Sequence, residues 1–597
     1  MSVDDRIKAL RKEMKKEGVD IYYVPTSDFH ETEYVGEHFK CRQFITGFTG
    51  SAGVAIITAD EAGLWTDGRY YIQAERELAG SCVTLYKAGM EGVIKPEEFI
   101  KDHVSAGSVL GFDGRCVNAH FAEKLRKAAE EKGASLNTDE DLVGRIWKGR
   151  PALKFKPAYD WPVKYAGKSR DEKLALIRKK MEDAGCNVHI LSALDNICWL
   201  LNLRGNDIKH FPVLQSFLLM DMEKAVLFAG TGAISAELEE VLNKSDIVVK
   251  AYEDVYDEIS KISDRCSILL DKNKVNGKIV SCIPAGCRVV DALNPEVIPQ
   301  SVKNETEIEN TKKAHIKDGA AVFEFMYLLK KRIGKEKLTE KDAEKIIDGL
   351  RAEKEGFMDL SFDTISAYGP NAACMHYSAD EENSVELKAS GFLLVDSGAH
   401  YLDGTTDITR TYALGPLSEK EKRFYTAVLI GCLRLADAKF LHGCKGINLD
   451  ILARGPVWDM CADYRCGTGH GVGYCLNVHE APNGFRWRIV SERNDSGVLE
   501  AGQITSDEPG YYEDGAFGIR IENEILCKEI EKNEYGTFMG FETITYAPID
   551  LEPVVTDMLS KDDIRRINDY HKLVYEKLSP LFEGEKLEYL RKVCKAI

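Results

Sequence analysis

One internal repeat constrains this chain more than any other feature. Leu174, Ile177, Met181, Gly185, Val188 and Asp195 reproduce Ile7, Leu10, Met14, Gly18, Ile21 and Asp28 at one constant offset. The apolar positions have helical spacing, the glycine stops the helix, and a short apolar run follows as a strand. After a loop of different length, Trp199 to Gly205 answers Phe44 to Gly50. A helix of this kind recurs by chance; the shared order of helix, glycine, strand, aspartate and aromatic-to-glycine segment marks a duplicated α/β unit. Further strands are expected at Val54 to Ile57 and Gly63 to Trp65, ahead of the turn Asp67-Gly68-Arg69.

The repeat sets the domain boundaries. Pro151 to Ser169 holds three prolines and little apolar periodicity, as a linker does. Its Gly167-Lys168-Ser169 imitates the end of a phosphate loop, but Pro162 occupies the place of the required first glycine. A second boundary lies between Asn294 and Glu307, where prolines give way to a charged run. The expected domains are 1–155, 156–305 and 306–597, the second repeating the first.

Composition narrows the function. The 79 basic and 97 acidic residues give a net charge of −18, which disfavours nucleic acid and anionic membrane as partners. No segment approaches the roughly 18 apolar residues of a membrane span. Sixteen cysteines are scattered without a Cys-x-x-Cys pair, and the start lacks the basic and apolar run of an export signal. Reduced thiols in a cytoplasmic protein are expected. Cys594-Lys595-Ala596-Ile597 fails as a prenylation box, because Lys595 stands where an aliphatic residue belongs.

The third domain carries the chemistry. Helices are expected from about Glu307, from the capping box Thr339 to Asp342, and from the capping box Ser418 to Glu421. Between and after them, acids are set into apolar strands. The run Gly391 to Val395 ends on Asp396-Ser397-Gly398, and Asp407 lies in the alternating stretch Thr405 to Thr411. His470 stands among four glycines in Gly467-Thr468-Gly469-His470-Gly471-Val472-Gly473, which is no dinucleotide loop, since position 472 is valine. Glu508 precedes Pro509-Gly510, and alternation puts Arg520 and Glu522 on one strand face. Any one acid is explained as a cap, a turn or a surface charge. Four carboxylates and a histidine in such settings call for a positive centre, since buried carboxylates repel one another. A pair of divalent cations meets that need and supplies a nucleophile without a serine or cysteine motif. Oxygen-rich ligation with one imidazole suits Mn²⁺, with Zn²⁺, Co²⁺ or Fe²⁺ also compatible.

The order Asp396, Asp407, His470, Glu508, Glu522, with Gly369-Pro370-Asn371, His376-Tyr377, Asp403-Gly404-Thr405-Thr406-Asp407 and Asn477 to Pro482, resembles the pita-bread metallopeptidases. Within them the chain is most similar to three-domain aminopeptidases P, over essentially its whole length. The resemblance implies two creatinase-like α/β domains followed by an α+β pita-bread catalytic domain. It implies that Asp396 holds one metal, that His470 and Glu508 hold the other, and that Asp407 and Glu522 bridge them. A hydroxide between the cations would attack the bond before a proline, with Glu508 accepting its proton. His376 and His479 would line the substrate site and protonate the proline nitrogen, Arg520 would fix the acids or the substrate, and Arg69 would reach the site from the first domain. The implied substrates are small peptides with proline second, cut by a cytoplasmic homodimer. Cys466 departs from the pattern, since some members carry histidine there. A prolidase and a metal-free binding protein on the same scaffold are the alternatives.

Overall fold

A computed structural model describes residues 1–490 and 494–597. The chain forms two compact units. One comprises Met1–Trp161 with Lys168–Glu296, and the other Pro162–Gly167 with Val297–Ile597.

The first unit contains the repeat in three dimensions. Helix Val3–Glu17 is capped by Ser2 and ended by Gly18 in the left-handed region, and it buries Ile7, Leu10 and Met14. Helix Arg170–Asp183, capped by Ser169, buries Leu174, Ile177 and Met181. Each helix leads into a six-stranded mixed sheet. Numbering the strands of each sheet by their sequence order, both sheets run 4-3-2-1-5-6. The senses agree as well: strand one, Ile21–Pro25 or Val188–Leu191, is antiparallel to strand two and parallel to strand five in both copies. Phe29, Phe39 and Ala119 share one apolar cluster with Phe217, Phe228 and Val255, so the two sheets of this unit are joined by common core.

The second unit opens with helix Glu305–Arg332, whose Asn304 cap and Glu307 form a reciprocal capping box. Thr339 and Ser418 cap Glu340–Ala352 and Glu419–Ala436 in the same way, as their sequences imply. Val322, Phe325, Met326 and Leu329 are buried along one face of the first helix, and Phe424, Val428, Cys432 and Leu435 along the third. Inside lie a three-stranded sheet centred on Phe392–Ser397 and a six-stranded sheet containing Gly469–Gly471, Ile504–Asp507 and Asn523–Asn533. Helices Lys561–Leu578 and Gly584–Val593 close this unit, and Arg410 ties the first of them to the sheets. The buried Arg410 guanidinium donates to the carbonyls of Ala547 and Pro548, to the Tyr570 hydroxyl and to the Glu522 carbonyl. It thereby satisfies a buried charge with fixed dipoles.

All sixteen cysteines are free thiols. No helix among the described residues is long and apolar enough to cross a membrane.

Two buried imidazoles make the fold acid-sensitive. His571 accepts the Ile549 N–H at 3.2 Å, a bond that protonation removes, and burial lowers its pKa from 6.5 to about 4. His30, packed against Ser192 and Tyr252 in the first unit, is lowered to about 4, also by burial. Because the folded pKa lies below the unfolded one, the stability is complete above about pH 6.5 and is lost as pH falls towards 4. The shift corresponds to about 3 kcal/mol per residue. Urea unfolding of His571→Gln, which keeps an acceptor but does not titrate, is expected to show a shallower loss of stability over this window. An unchanged slope contradicts the assignment.

Candidate metal centre

Four strand segments deliver the acidic residues to one place. Asp396 is the fifth residue of Phe392–Ser397, a strand buried along its whole length, and lies opposite Thr409 of Ile408–Ala413. Asp407 falls in the break between Gly404–Thr405 and Ile408–Ala413, rather than inside the continuous strand expected from the alternation of Thr405 to Thr411. Asp507 pairs with Asn523, so Glu508 and Glu522 flank one rung of the antiparallel ladder. The continuous strand expected across Arg520 and Glu522 also breaks, since Glu522 lies between Phe517–Arg520 and Asn523–Asn533, yet the two side chains still meet at Thr409. The Thr409 hydroxyl donates to Glu522 Oε2 at 2.7 Å, and Arg520 Nε donates to the Thr409 oxygen at 3.1 Å.

His470 is the middle residue of Gly469–Gly471. The glycines on either side are required by close approach. A Cβ at Gly469 would lie 1.9 Å from the Ser506 carbonyl oxygen, and one at Gly471 would lie 2.3 Å from that of Glu480. No side chain fits there, so the strand seats deep between its neighbours and carries the imidazole with it. His470 Nδ1 lies 2.9 Å from the Gly471 carbonyl oxygen, to which it can only donate. In the neutral ring this leaves Nε2 as a bare acceptor. Nε2 faces Asp407 Oδ2 at 3.4 Å and Glu508 Oε1 at 3.5 Å. An acceptor facing carboxylate oxygens is an arrangement that a cation between them resolves.

The acids themselves are under strain. Burial pushes the Asp407 carboxyl well above its usual range, and Asp396, Glu508 and Glu524 push it further. Glu522 is raised in the same way by burial, then by Asp407, Glu508 and Asp396. Arg520 is the local counter-charge. Its Nη2 donates to Asp396 Oδ2 at 2.5 Å and its Nη1 to the Tyr512 hydroxyl at 2.7 Å. The second oxygen of Asp396 is buried without a hydrogen-bond partner. One ligand atom each from Asp407, His470 and Glu522 lies within 4.8 Å of the other two. Facing acceptors, raised carboxyls and an unsatisfied oxygen fit a centre that holds divalent cations.

The remaining sequence-derived residues fall as follows. The His479 ring stands edge-on to His470, with centroids 4.2 Å apart and planes at 86°. His376 is half-buried in the turn that follows the 3₁₀ segment Gly369–Ala373. That turn is anchored by Glu340, which accepts from Asn371 Nδ2 and from the Tyr377 hydroxyl. Burial raises the Cys466 thiol to about 11, with Glu508 adding to the effect, so it is uncharged at neutral pH. Arg69 belongs to the first unit, where its guanidinium forks onto Asp67. Sequence reasoning did not reach Tyr512, Glu524 or His315. Glu524 was within reach, because it follows Glu522 by two positions and so shares its face.

Comparison with known proteins agrees with this geometry. Residues 309–529 match metallopeptidase family M24, and 537–597 match the C-terminal region of peptidase M24. Residues 6–143 and 149–307 each match a creatinase/prolidase N-terminal domain. Aminopeptidase P2 of Arabidopsis thaliana is 37% identical, over 98% of this chain and 87% of its own. A probable Xaa-Pro aminopeptidase P of Pyrenophora teres f. teres is 39% identical, over 98% of this chain and 92% of its own. The crystal structure of X-prolyl aminopeptidase from Caenorhabditis elegans, described as a cytosolic enzyme with a di-nuclear active site, superposes with a TM-score of 0.94. That match has 31% identity and covers 100% of both chains.

Proposed function

This chain belongs to metallopeptidase family M24, in its aminopeptidase P branch, and from that premise we propose that it removes the first residue from peptides whose second residue is proline. The observation that carries the reading is the convergence of Asp407, His470 and Glu522 ligand atoms, with Glu508 beside His470 and Asp396 locked by Arg520.

Asp396, Asp407 and Glu522 would hold one divalent ion, and His470, Glu508, Asp407 and Glu522 the other. When bound, the two cations would acidify water to a nucleophile near neutral pH and polarise the scissile carbonyl. Mn²⁺ is the proposed ion, because the donor set is oxygen-rich with one imidazole. Glu508, the most exposed of the five at 22% of its side chain, is placed to accept a proton from the attacking water. His376 and His479 position the peptide, and an imidazole proton goes to the proline nitrogen, which leaves as a neutral amine only once protonated. The proline peptide bond lacks an N–H and a free φ, which is why general peptidases handle it poorly. Arg520 orients Asp396 through its direct bond. Cys466 stays a neutral thiol near neutral pH. Arg69 is kept as a proposed substrate-binding residue, and the proposed domains are 1–155, 156–305 and 306–597. A cytoplasmic location is supported by the free thiols and by the relative described as cytosolic.

A homodimer is supported by an apolar stripe that stands exposed among the described residues. Helix Gly446–Trp458 buries Leu449, Ala453 and Val457 on one face. It exposes Ile447, Ile451 and Trp458, positions that share the other face at helical spacing. Trp487 adds to the stripe, with its ring centroid 6.2 Å from that of Trp458, and Ile489 is 62% exposed. Monomers rarely leave such a patch uncovered.

With Mn²⁺ added, release of the first residue from Xaa-Pro-Xaa peptides is expected by mass spectrometry, and cleavage of Xaa-Pro dipeptides alone would point to a prolidase instead. In light scattering, Ile451→Asp is expected to halve the mass of a dimeric wild type. A wild type that is already monomeric rules out the dimer.

A further inference from the structure

We propose that Glu524, backed by His315, is a positioning residue that fixes the bridging carboxylate Asp407 and thereby sets metal affinity. This rests on the metal reading above.

The need arises from the backbone. Asp407 lies between two strands, and its N–H has no partner in a ladder. Without an acceptor, a buried amide costs free energy, and the residue would be free to turn its side chain away. Glu524 supplies that acceptor: the Asp407 N–H donates to Glu524 Oε1 at 2.8 Å. Glu524 is placed by the antiparallel ladder, where it pairs with Ser506 one step beyond the Asp507–Asn523 rung. Its own N–H donates to the Thr545 hydroxyl at 2.8 Å, so its backbone does not drift.

The far side of the carboxylate meets an imidazole. Glu524 Oε2 lies 3.1 Å from His315 Nε2, close enough for an ion pair but not aligned as a hydrogen bond, and both side chains are fully buried. His315 comes from helix Glu305–Arg332, which brings the long opening helix of the unit into contact with the metal residues at one remove. A further buried acid behind the acidic centre is costly to a fold. Its retention here is explained by the amide that it holds. Groups of this kind, outside the ligands themselves, typically change metal affinity about 10- to 100-fold when removed.

Two near-isosteric variants separate reach from charge. Glu524→Gln keeps an acceptor oxygen at the same reach and loses the charge. Glu524→Asp keeps the charge and withdraws the oxygen by about 1.5 Å, one carbon–carbon bond. Mn²⁺ binding to metal-stripped protein, read by calorimetry and by the loss of the free-ion paramagnetic resonance signal, is expected to stay within about three-fold of wild type for Glu524→Gln. It is expected to weaken about ten-fold or more at one of the two sites for Glu524→Asp. The reverse order, or equal affinity in all three proteins, overturns the proposal. A wild type that binds no Mn²⁺ overturns the metal reading itself.

Discussion

Mutual repulsion of buried carboxylates around an imidazole lone pair is the constraint on which the second unit depends. Asp407 and Glu522 are at most 4% exposed, Asp396 is 9% exposed, and Glu508 stands beside them. Among the described residues, only Arg520 brings a positive charge into direct contact, and it reaches Asp396. Asp407 and Glu522 would lower their cost by taking up a proton, and their raised positions express that tendency. A fold selected for stability alone would replace them with apolar residues. Their presence, with His470 Nε2 turned towards them, makes sense as preorganisation for cations.

The scaffold spends its tightest packing on holding this arrangement. Gly469 and Gly471 let the His470 strand lie within side-chain distance of its neighbours' carbonyls. Arg410 binds the Glu522 carbonyl from one side and anchors residues 547, 548 and 570 on the other, so helix Lys561–Leu578 and a residue of the acidic centre share one guanidinium. Thr409 joins Glu522 to Arg520 through one hydroxyl. Each link runs from a long-range tertiary contact to an atom of the centre. This is the rigid support that precise ligand geometry requires.

Much of this was legible in the sequence, for physical reasons that differ by element. The duplicated front half was readable because Gly18 and Gly185 stop equivalent helices and the same apolar positions recur, and the two sheets share strand order and sense. The capping boxes at Thr339 and Ser418 are local chemistry and mark their helices correctly. Alternation pointed to Arg520 and Glu522 together, and they do meet at Thr409, although Glu522 lies just past the strand that Arg520 ends. The same rule misjudged Asp407, which sits where the strand breaks and its amide turns to Glu524. No local pattern signals an amide satisfied by a residue 117 positions away. The partnership of Glu524 with His315 and the bond from Arg520 to Tyr512 are likewise products of tertiary packing.

Anomalous X-ray scattering from crystals of the Mn²⁺-loaded protein tests the central claim most directly. Data collected on either side of the manganese absorption edge are expected to show two peaks, about 3.5–4 Å apart, enclosed by Asp396, Asp407, His470, Glu508 and Glu522. No peak among these residues, with Asp407 and Glu522 hydrogen-bonded to one another as protonated acids, would contradict the account.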